Sequence, residues 1–338
     1  MFQCMTNPVG TMRAAVVTRY GPPSVVALQE LRRPQPGPRD LLIRVKATSV
    51  SSGDARVRAR LVPAGMGLLM RLAMGWNGPR QPILGTECSG VVAAVGADVT
   101  RFCVGDAVVA YLGAAMGAHA AFLCIREDGP VTKKPEALPW NEAASLLFGG
   151  MTALHNLRHK AKVNPGERVL VLGASGAVGT AAVQLARYGG AEVTAVCSAA
   201  NAALAKDLGA THVIDYHAED FTKTGGTWNV IMDCVGATDY ARRHRVLARG
   251  GRLMRVVCGL AGQFAAPFQG RLSEHRVTAG VAAERPEGVG VLVDLVRKGV
   301  YRAVIDGTMP LARIAEAHAR VDTGHKRGTV VVTIEDAA

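Results

Sequence analysis

Residues 168–198 read RVLVLGASGAVGTAAVQLARYGGAEVTAVCS, and this stretch decides the fold. Arg168–Leu172 is a short run of β-branched and aliphatic residues, typical of a strand buried on both faces. Three spaced glycines follow, and apolar residues then recur at helical spacing over Ala177–Tyr188. Glu192–Cys197 is a second apolar run. The order strand, glycine turn, helix, strand predicts a parallel βαβ unit.

The three glycines have different predicted tasks. Gly173 and Gly176 let the backbone turn sharply and approach a pyrophosphate, and Gly179 lets the helix pack tightly on the strand. The helix N-terminus offers unpaired N–H groups to phosphate oxygens. With both strands and the helix in place, the pattern predicts a dinucleotide site; the alternative is a turn that needs glycine only for packing. The predicted cofactor-binding residues of the turn are Gly173, Ala174, Ser175, Gly176, Ala177, Val178 and Gly179.

The end of the second strand indicates which dinucleotide binds. NAD sites usually have Asp or Glu there to hold the ribose 2′-hydroxyl, but this chain has Ser198 and, soon after, Asn201. A carboxylate would repel a 2′-phosphate, whereas a hydroxyl and an amide can donate to it. The sequence therefore predicts NADPH. The alternative is that Ser198 and Asn201 merely cap a helix predicted at Asn201–Leu208; both can hold, because a helix N-terminus also binds phosphate.

The alternation of strands and helices continues after residue 198 and predicts an α/β fold with a parallel, doubly wound sheet. Its further strands are predicted at His212–Asp215, Val230–Asp233, Arg252–Val257 and Val277–Val281. Many short strands between Gly and Pro turns predict a separate β-rich domain of about 120 residues at the start of the chain. They are Met12–Arg19, Ile43–Ala47, Cys88–Val95 and Ala107–Tyr111.

Several further segments are predicted from local patterns. Gly149-Gly150 is expected to separate two helices, Pro139–Phe148 and Thr152–Lys160. The apolar, Met-rich segment Leu61–Trp76 could pack on the core, form a lid over an apolar ligand or touch a membrane as a helix. Two further helices are predicted at Gly288–Lys298 and Leu311–Val321, and a β run follows at Thr329–Ile334.

Composition restricts the function classes. The net charge of +12 indicates either a solvated basic surface or attraction of an anionic dinucleotide; nucleic acid is a weaker reading, because only 5% of residues are aromatic and could stack on bases. No apolar stretch is long enough for a membrane span, and residues 1–12 do not resemble a secretory signal. Seven cysteines without a CxxC pair predict reduced, mostly buried thiols and a cytoplasmic location.

These motifs together resemble the medium-chain dehydrogenases/reductases, and among them the zinc-free quinone-oxidoreductase-like branch. The resemblance rests on five stretches: residues 82–96 (PILGTECSGVVAAVG), 102–106 (FCVGD), 142–153 (EAASLLFGGMTA), the glycine-rich turn and 212–216 (HVIDY). It implies a GroES-like substrate domain formed by residues 1–133 and 284–338, with a Rossmann NADP-binding domain at 134–283 between them. It also implies an active site in the cleft between the domains and homodimers that pair the edge strands of the nucleotide sheets. Val277–Val281 is the predicted edge strand.

The zinc positions of the wider superfamily can be checked one at a time. Where zinc alcohol dehydrogenases have Cys after the third β run, this chain has residues 49–54, SVSSGD. Where they have His-Glu after Gly, it has Thr86-Glu87, and the four-cysteine structural loop is absent. Zinc needs thiolate or imidazole ligands, so the sequence predicts no zinc.

The resemblance also implies how the reaction proceeds and which residues take part. Hydride transfer from NADPH to a quinone or enone needs only hydrogen-bond donors at the acceptor oxygen, because the added electron pair is delocalised. Thr152 is expected beside the nicotinamide or its ribose, Ser51 takes the place of an Asn beside it, and Arg56 stands where many quinone reductases have Tyr. Asp54 and Arg58 lie one helical turn apart and could simply pair with each other, and Thr152 could be a helix cap.

The remaining cofactor residues are predicted with the same family in mind. Tyr216 matches a position near the 2′-phosphate, and Lys326 or His325 reaches the cofactor. Val235 and Cys258 complete the predicted cofactor-binding set. Two other functions stay open on the sequence alone: a zinc-free alcohol or enoyl reductase of a biosynthetic pathway, and an NADPH-bound RNA-binding protein without turnover, which only the positive charge supports.

Overall fold

The computed structural model describes residues 10–61, 72, 75–236, 240–257, 275–279 and 286–335. Within these ranges the chain forms two large β-sheets and a two-stranded ribbon. No helix in these ranges is both long and apolar enough to cross a membrane. Cys258 and nearly all of the Met-rich segment Leu61–Trp76 lie outside the described residues.

The first sheet is built from both ends of the chain. Beside it, β1 (Thr11–Val17) and β2 (Val26–Arg32) form the antiparallel ribbon. The strands of the sheet are β3 (Asp40–Val50), β4 (Glu87–Val95), β5 (Ala107–Tyr111), β6 (Phe122–Arg126), β7 (Val131–Lys133), β14 (Ile305–Pro310) and β15 (Thr329–Thr333). They lie in the order β14-β15-β3-β4-β5-β7, with β6 also paired to β3, and only β14 and β15 run parallel. This is the predicted β-rich domain, and β14 is a strand that the sequence did not reveal.

The second sheet is parallel throughout and confirms the predicted doubly wound fold. Its strands are β8 (Arg168–Leu172), β9 (Glu192–Cys197), β10 (His212–Asp215), β11 (Trp228–Asp233), β12 (Leu247–Arg255) and β13 (Arg276–Ala279). The order is β10-β9-β8-β11-β12-β13. From β8 the chain moves outward to β10 and then returns to the other side of β8. Ligands of such sheets bind outside the carboxyl ends of the strands at this switch point, here between β8 and β11.

Eight α-helices are found among the described residues. They are α1 (Ser52–Ala59), α2 (Trp140–Ala143), α3 (Leu147–Leu154), α4 (Ala177–Tyr188), α5 (Ala202–Asp207), α6 (Tyr240–His244), α7 (Glu287–Arg297) and α8 (Ile314–Asp322). A π-helix, His155–Ala161, continues α3. The predicted helix Ala177–Tyr188 and its two flanking strands match the structure residue for residue, because each apolar run ends at a local signal such as Gly173.

The prediction that Gly149 and Gly150 separate two helices is wrong, because both lie inside α3. A Cβ at Gly149 would lie 2.2 Å from the backbone oxygen of Ala177, and one at Gly150 would lie 2.7 Å from Leu292 Cδ1. The glycines therefore allow α3 to pack closely against α4 and α7. Their intrinsic preference against helix is outweighed by this tertiary contact.

Helix α7 belongs to the segment predicted to return to the substrate domain, and it packs against α3 and against β5 and β7 of the first sheet. Val289, Leu292 and Leu295 are buried in the same apolar core as β8 and α4. The same core contains Val109 and Tyr111 of β5, and the next strand that joins the first sheet is β14. Helix α7 therefore contacts elements of both sheets, and the predicted domain boundaries stay predictions.

Candidate cofactor cleft and active site

A cavity of about 380 Å³ opens at the carboxyl ends of β8 and β9, at the switch point of the sheet. It brings together residues that the sequence places more than 150 positions apart. Of the predicted cofactor-binding residues, those that line it are Gly173, Ser175, Gly176, Ser198, Asn201, Tyr216, Val235 and Lys326, with His325 beside them. Ala174, Ala177, Val178 and Gly179 do not line the cavity; the first and third of these side chains are buried.

The glycine-rich turn has the shape that a phosphate group needs. Gly173 has φ of +74°, which favours glycine, and a Cβ there would lie 2.4 Å from Val235 Cγ1. A Cβ at Gly176 would meet no atom closer than 3.7 Å, so this backbone faces open space at the N-terminus of α4. A Cβ at Gly179 would lie 2.1 Å from Gly173 O, so this glycine serves helix packing. The residues present thus fit a dinucleotide pyrophosphate at Gly176.

Ser198 and Asn201 do not cap a helix, contrary to the alternative interpretation. Neither side chain accepts a capping hydrogen bond, and α5 begins only at Ala202. Instead Asn201 Nδ2 donates to Ser198 Oγ at 3.0 Å. The Ser198 hydroxyl proton is left to donate elsewhere, and the buried Asn201 Oδ1 has no hydrogen-bond partner among the described residues. Among the described residues that line the cavity there is no carboxylate.

The loop 323–328, between α8 and β15, forms the opposite wall of the cleft. Gly324, His325 and Lys326 line the cavity. The backbone N–H of Gly328 donates to Ser175 O at 2.7 Å, so the loop is bonded to the glycine-rich turn. Lys326 Nζ donates to Gly328 O, and burial lowers the pKa of Lys326 to about 8. The structure therefore places Lys326 beside the glycine-rich turn.

The three predicted catalytic residues do not line this cavity: Ser51 and Arg56 belong to the cap and body of α1, and Thr152 lies in α3. Ser51 caps α1: its Oγ donates to Asp54 Oδ2 at 2.6 Å and accepts from Asp54 N at 3.2 Å. A Cβ at Gly53 would lie 3.3 Å from the Phe148 ring, and Thr152 Oγ1 donates to Phe148 O at 2.8 Å. The start of α1 thus approaches α3 at the Phe148 ring. Thr152 is inside α3 and is not a helix cap.

Arg56 and Arg58 differ in their surroundings. Arg56 is half-buried, burial lowers its pKa, and no hydrogen bond or ion pair joins its side chain to another described residue. Arg58 is fully buried and pairs with Asp322 at 2.6 Å. Asp54 accepts from the backbone N–H of Gly85 at 2.8 Å. The suggested Asp54–Arg58 pair is therefore wrong, because each group has a tertiary partner.

Glu87 is a buried residue of the site region that sequence reasoning did not assign. Its Oε1 accepts from Ser49 Oγ at 2.5 Å, and its Oε2 accepts from the backbone N–H groups of Leu147 and Phe148 at 2.6 and 2.9 Å. Burial raises the pKa of Glu87 to about 7 against these hydrogen bonds. The carboxyl group anchors the N-terminus of α3 to β4 and so positions Thr152. An acidic residue at the start of an apolar strand was the signal available in the sequence.

Among the described residues, no three His, Cys, Asp or Glu side chains cluster closely enough to hold a metal ion. The absence of zinc stays a prediction from the replaced ligands.

Comparisons with known proteins agree with this architecture. Residues 37–138 match the family model of the alcohol dehydrogenase GroES-like domain, and residues 208–332 match that of the zinc-binding dehydrogenases. A quinone oxidoreductase of Pseudomonas aeruginosa is 30% identical over 93% of this chain and 97% of its own length. A mitochondrial NAD(P)H oxidoreductase of Homo sapiens is 30% identical over 97% of this chain and 91% of its own. The solved quinone oxidoreductase of Coxiella burnetii superposes with a TM-score of 0.85 at 28% identity, over 96% of this chain and all of that one.

Proposed function

Because the chain belongs to the quinone-oxidoreductase-like branch of the medium-chain dehydrogenases/reductases and is an NAD(P)H oxidoreductase, we propose that it uses NADPH, without zinc, to reduce quinones or other conjugated carbonyls. The observation that carries the cofactor choice is the cleft at the glycine-rich turn, whose described lining holds Ser198, Asn201 and Tyr216 but no carboxylate. The names of the relatives support the substrate class.

Each part of the cleft has a proposed partner on the dinucleotide. Gly173, Gly176 and the N-terminus of α4 would hold the pyrophosphate, with the Lys326 ammonium beside it. The free hydroxyl of Ser198 would donate to the 2′-phosphate, together with Tyr216. When bound, the dihydronicotinamide supplies the hydride. Val235 lines the cleft beside Gly173, and Cys258 keeps only its predicted role.

Of the three predicted catalytic residues, Arg56 is the one whose donors are not used by other described residues. Ser51 and Thr152 each have a single hydroxyl proton, and each donates it within the protein, to Asp54 and to the Phe148 carbonyl. The guanidinium of Arg56 can donate to an acceptor oxygen as charge develops there. We therefore propose that Arg56 stabilises the reduced carbonyl oxygen, while Ser51 and Thr152 shape the pocket.

The proposal is tested by following NADPH oxidation with a panel of quinones, enones and simple ketones. Turnover of quinones or enones, with simple ketones inert and with no zinc detected by elemental analysis, is the expected result. A protein that oxidises NADPH only with simple ketones, or that carries one tightly held zinc ion per chain, would contradict it.

We further propose a homodimer. β13 (Arg276–Ala279) is at one end of the parallel sheet and pairs only with β12 among the described strands, which leaves one of its edges for a second copy. Light scattering at micromolar concentration should give twice the chain mass of 35.4 kDa. A mass equal to one chain would refute the dimer.

A further inference from the structure

Asp306 is the extra residue of a β-bulge. β14 and β15 pair at Ile305–Thr329 and next at Gly307–Val330, so Asp306 has no partner across the ladder. A bulge redirects the side chain of the unpaired residue, and bulges are frequent beside active sites. The Asp306 side chain is only 8% exposed and lies against the end of α8 and the loop that follows it.

The buried carboxylate organises the backbone of loop 323–328. Arg320 binds it with both arms of the guanidinium, Nε to Oδ2 at 2.6 Å and Nη2 to Oδ1 at 2.9 Å. The backbone N–H of Arg327 donates to Oδ1 at 2.8 Å, and Arg320 Nη2 also reaches His325 O at 3.3 Å. The Asp306–Arg320 pair thus fixes the chain on both sides of Lys326.

The loop is held on its other side by glycine packing. A Cβ at Gly328 would lie 1.9 Å from Val304 O, and the N–H of Gly328 donates to Ser175 O in the glycine-rich turn. Lys326 Nζ donates to the carbonyl of the same Gly328. The ammonium is therefore kept beside the turn, at the part of the cleft common to both nicotinamide dinucleotides.

We infer that Asp306 is a positioning residue for the cofactor: without touching it, Asp306 holds loop 323–328 in the conformation that places Lys326 at the pyrophosphate. The inference rests on the cofactor site proposed above. If loosening the loop reduces the binding-competent fraction to a tenth, the dissociation constant rises tenfold. Because the pyrophosphate is common to both, NADPH and NADH should be affected by the same factor.

Asp306→Asn tests this by fluorescence titration of both reduced dinucleotides. We expect both dissociation constants to rise roughly tenfold with their ratio unchanged. In turnover assays the KM for NADPH should rise while kcat changes little. The matched control is Glu316→Gln, on the same helix as Arg320; it breaks the exposed two-armed pair with Arg313 and should leave both dissociation constants unchanged.

The possible outcomes separate the two proposals. If the wild type binds both dinucleotides and Asp306→Asn binds them equally well, the role of Asp306 is overturned and the proposed cofactor site stands. If Asp306→Asn weakens the binding of NADPH but not of NADH, the loop acts at the 2′-phosphate and the positioning argument is overturned. Failure of the wild type to bind either dinucleotide overturns the cofactor site, and the inference with it. If Asp306→Asn does not fold, Arg320→Gln is titrated instead, and unchanged constants in that variant refute the inference.

Discussion

Gly149→Ala should destabilise the protein although alanine is a better helix former than glycine. In an exposed helix the change stabilises by about 1 kcal/mol. At Gly149 the new methyl carbon would lie 2.2 Å from the backbone oxygen of Ala177 and 2.7 Å from its carbonyl carbon. Both are main-chain atoms in the first turn of α4, so the helices themselves must separate. Overpacking of this kind costs about 1–3 kcal/mol, and rigid main-chain atoms place this site at or above the upper end.

The expected net change is therefore a loss of about 2 kcal/mol. Since α4 begins at the glycine-rich turn, the shift should also weaken NADPH binding. Gly290→Ala is the matched control. Gly290 lies inside α7, and a Cβ there would have no described heavy atom within 4 Å apart from those of its chain neighbours and its own helix. Alanine at this position should stabilise the protein by about 1 kcal/mol.

The melting temperatures of the two variants, measured by calorimetry, test this prediction. With about 2–4 °C per kcal/mol for a domain of this size, Gly149→Ala should lower the Tm by several degrees and Gly290→Ala should raise it by a few. A Gly149→Ala protein as stable as Gly290→Ala would show that α3 and α4 are not in contact as described.

Three further changes test the site. Ser198→Asp should move the preference from NADPH toward NADH, and Tyr216→Phe should weaken NADPH binding roughly tenfold, the effect of losing one hydrogen bond to a charged group; titrations that leave the ratio of dissociation constants unchanged would contradict this assignment. Arg56→Gln should lower the ratio of kcat/KM for naphthoquinone sulfonate over naphthoquinone, because a half-buried cation favours the anionic substrate; an equal ratio in wild type and variant would remove Arg56 from the substrate site. The free energy of unfolding of the wild type should fall by up to about 3 kcal/mol as the pH rises from 4.5 to about 7, because the pKa of Glu87 is higher in the folded protein than in the unfolded chain. Urea titrations at several pH values should show no such fall for Glu87→Gln. An identical pH dependence in the variant would show that another group is responsible.

The parts of the fold that the sequence predicted well are those decided by local physics. β8, β9 and α4 were predicted to the residue, because apolar runs end where a glycine or a helical period begins. β14 was missed because its sequence, IDGTMP, contains both Gly and Pro, which are rare in strand interiors. It forms because it lies at the edge of its sheet and, among the described strands, pairs with β15 on one side only.

More residues of the cofactor cleft than of the active site could be assigned from the sequence, because part of the cleft is formed by neighbouring residues of one βαβ unit. The glycine turn and the residue that ends β9 are positioned by the βαβ unit itself, so Gly176 and Ser198 could be assigned from their neighbours. Lys326 could be placed at the cleft only through the resemblance, since it comes from another sheet.

Buried charges show most clearly where sequence spacing fails. Asp54 and Arg58 have the spacing of a helical ion pair, worth about 0.2–0.5 kcal/mol at an exposed site. Both are almost fully buried, and a buried charge left without full hydrogen bonding costs far more than that. Each therefore binds the partner that the tertiary fold brings closest: the Gly85 N–H for Asp54, and Asp322 for Arg58, 264 residues away. Asp306 and Glu87 follow the same rule, since each binds main-chain N–H groups of a distant segment. In this protein the buried carboxylates fix how α1, α3 and loop 323–328 are placed, and those three segments carry Arg56, Thr152 and Lys326, which complement the cofactor residues of the glycine-rich turn and β9.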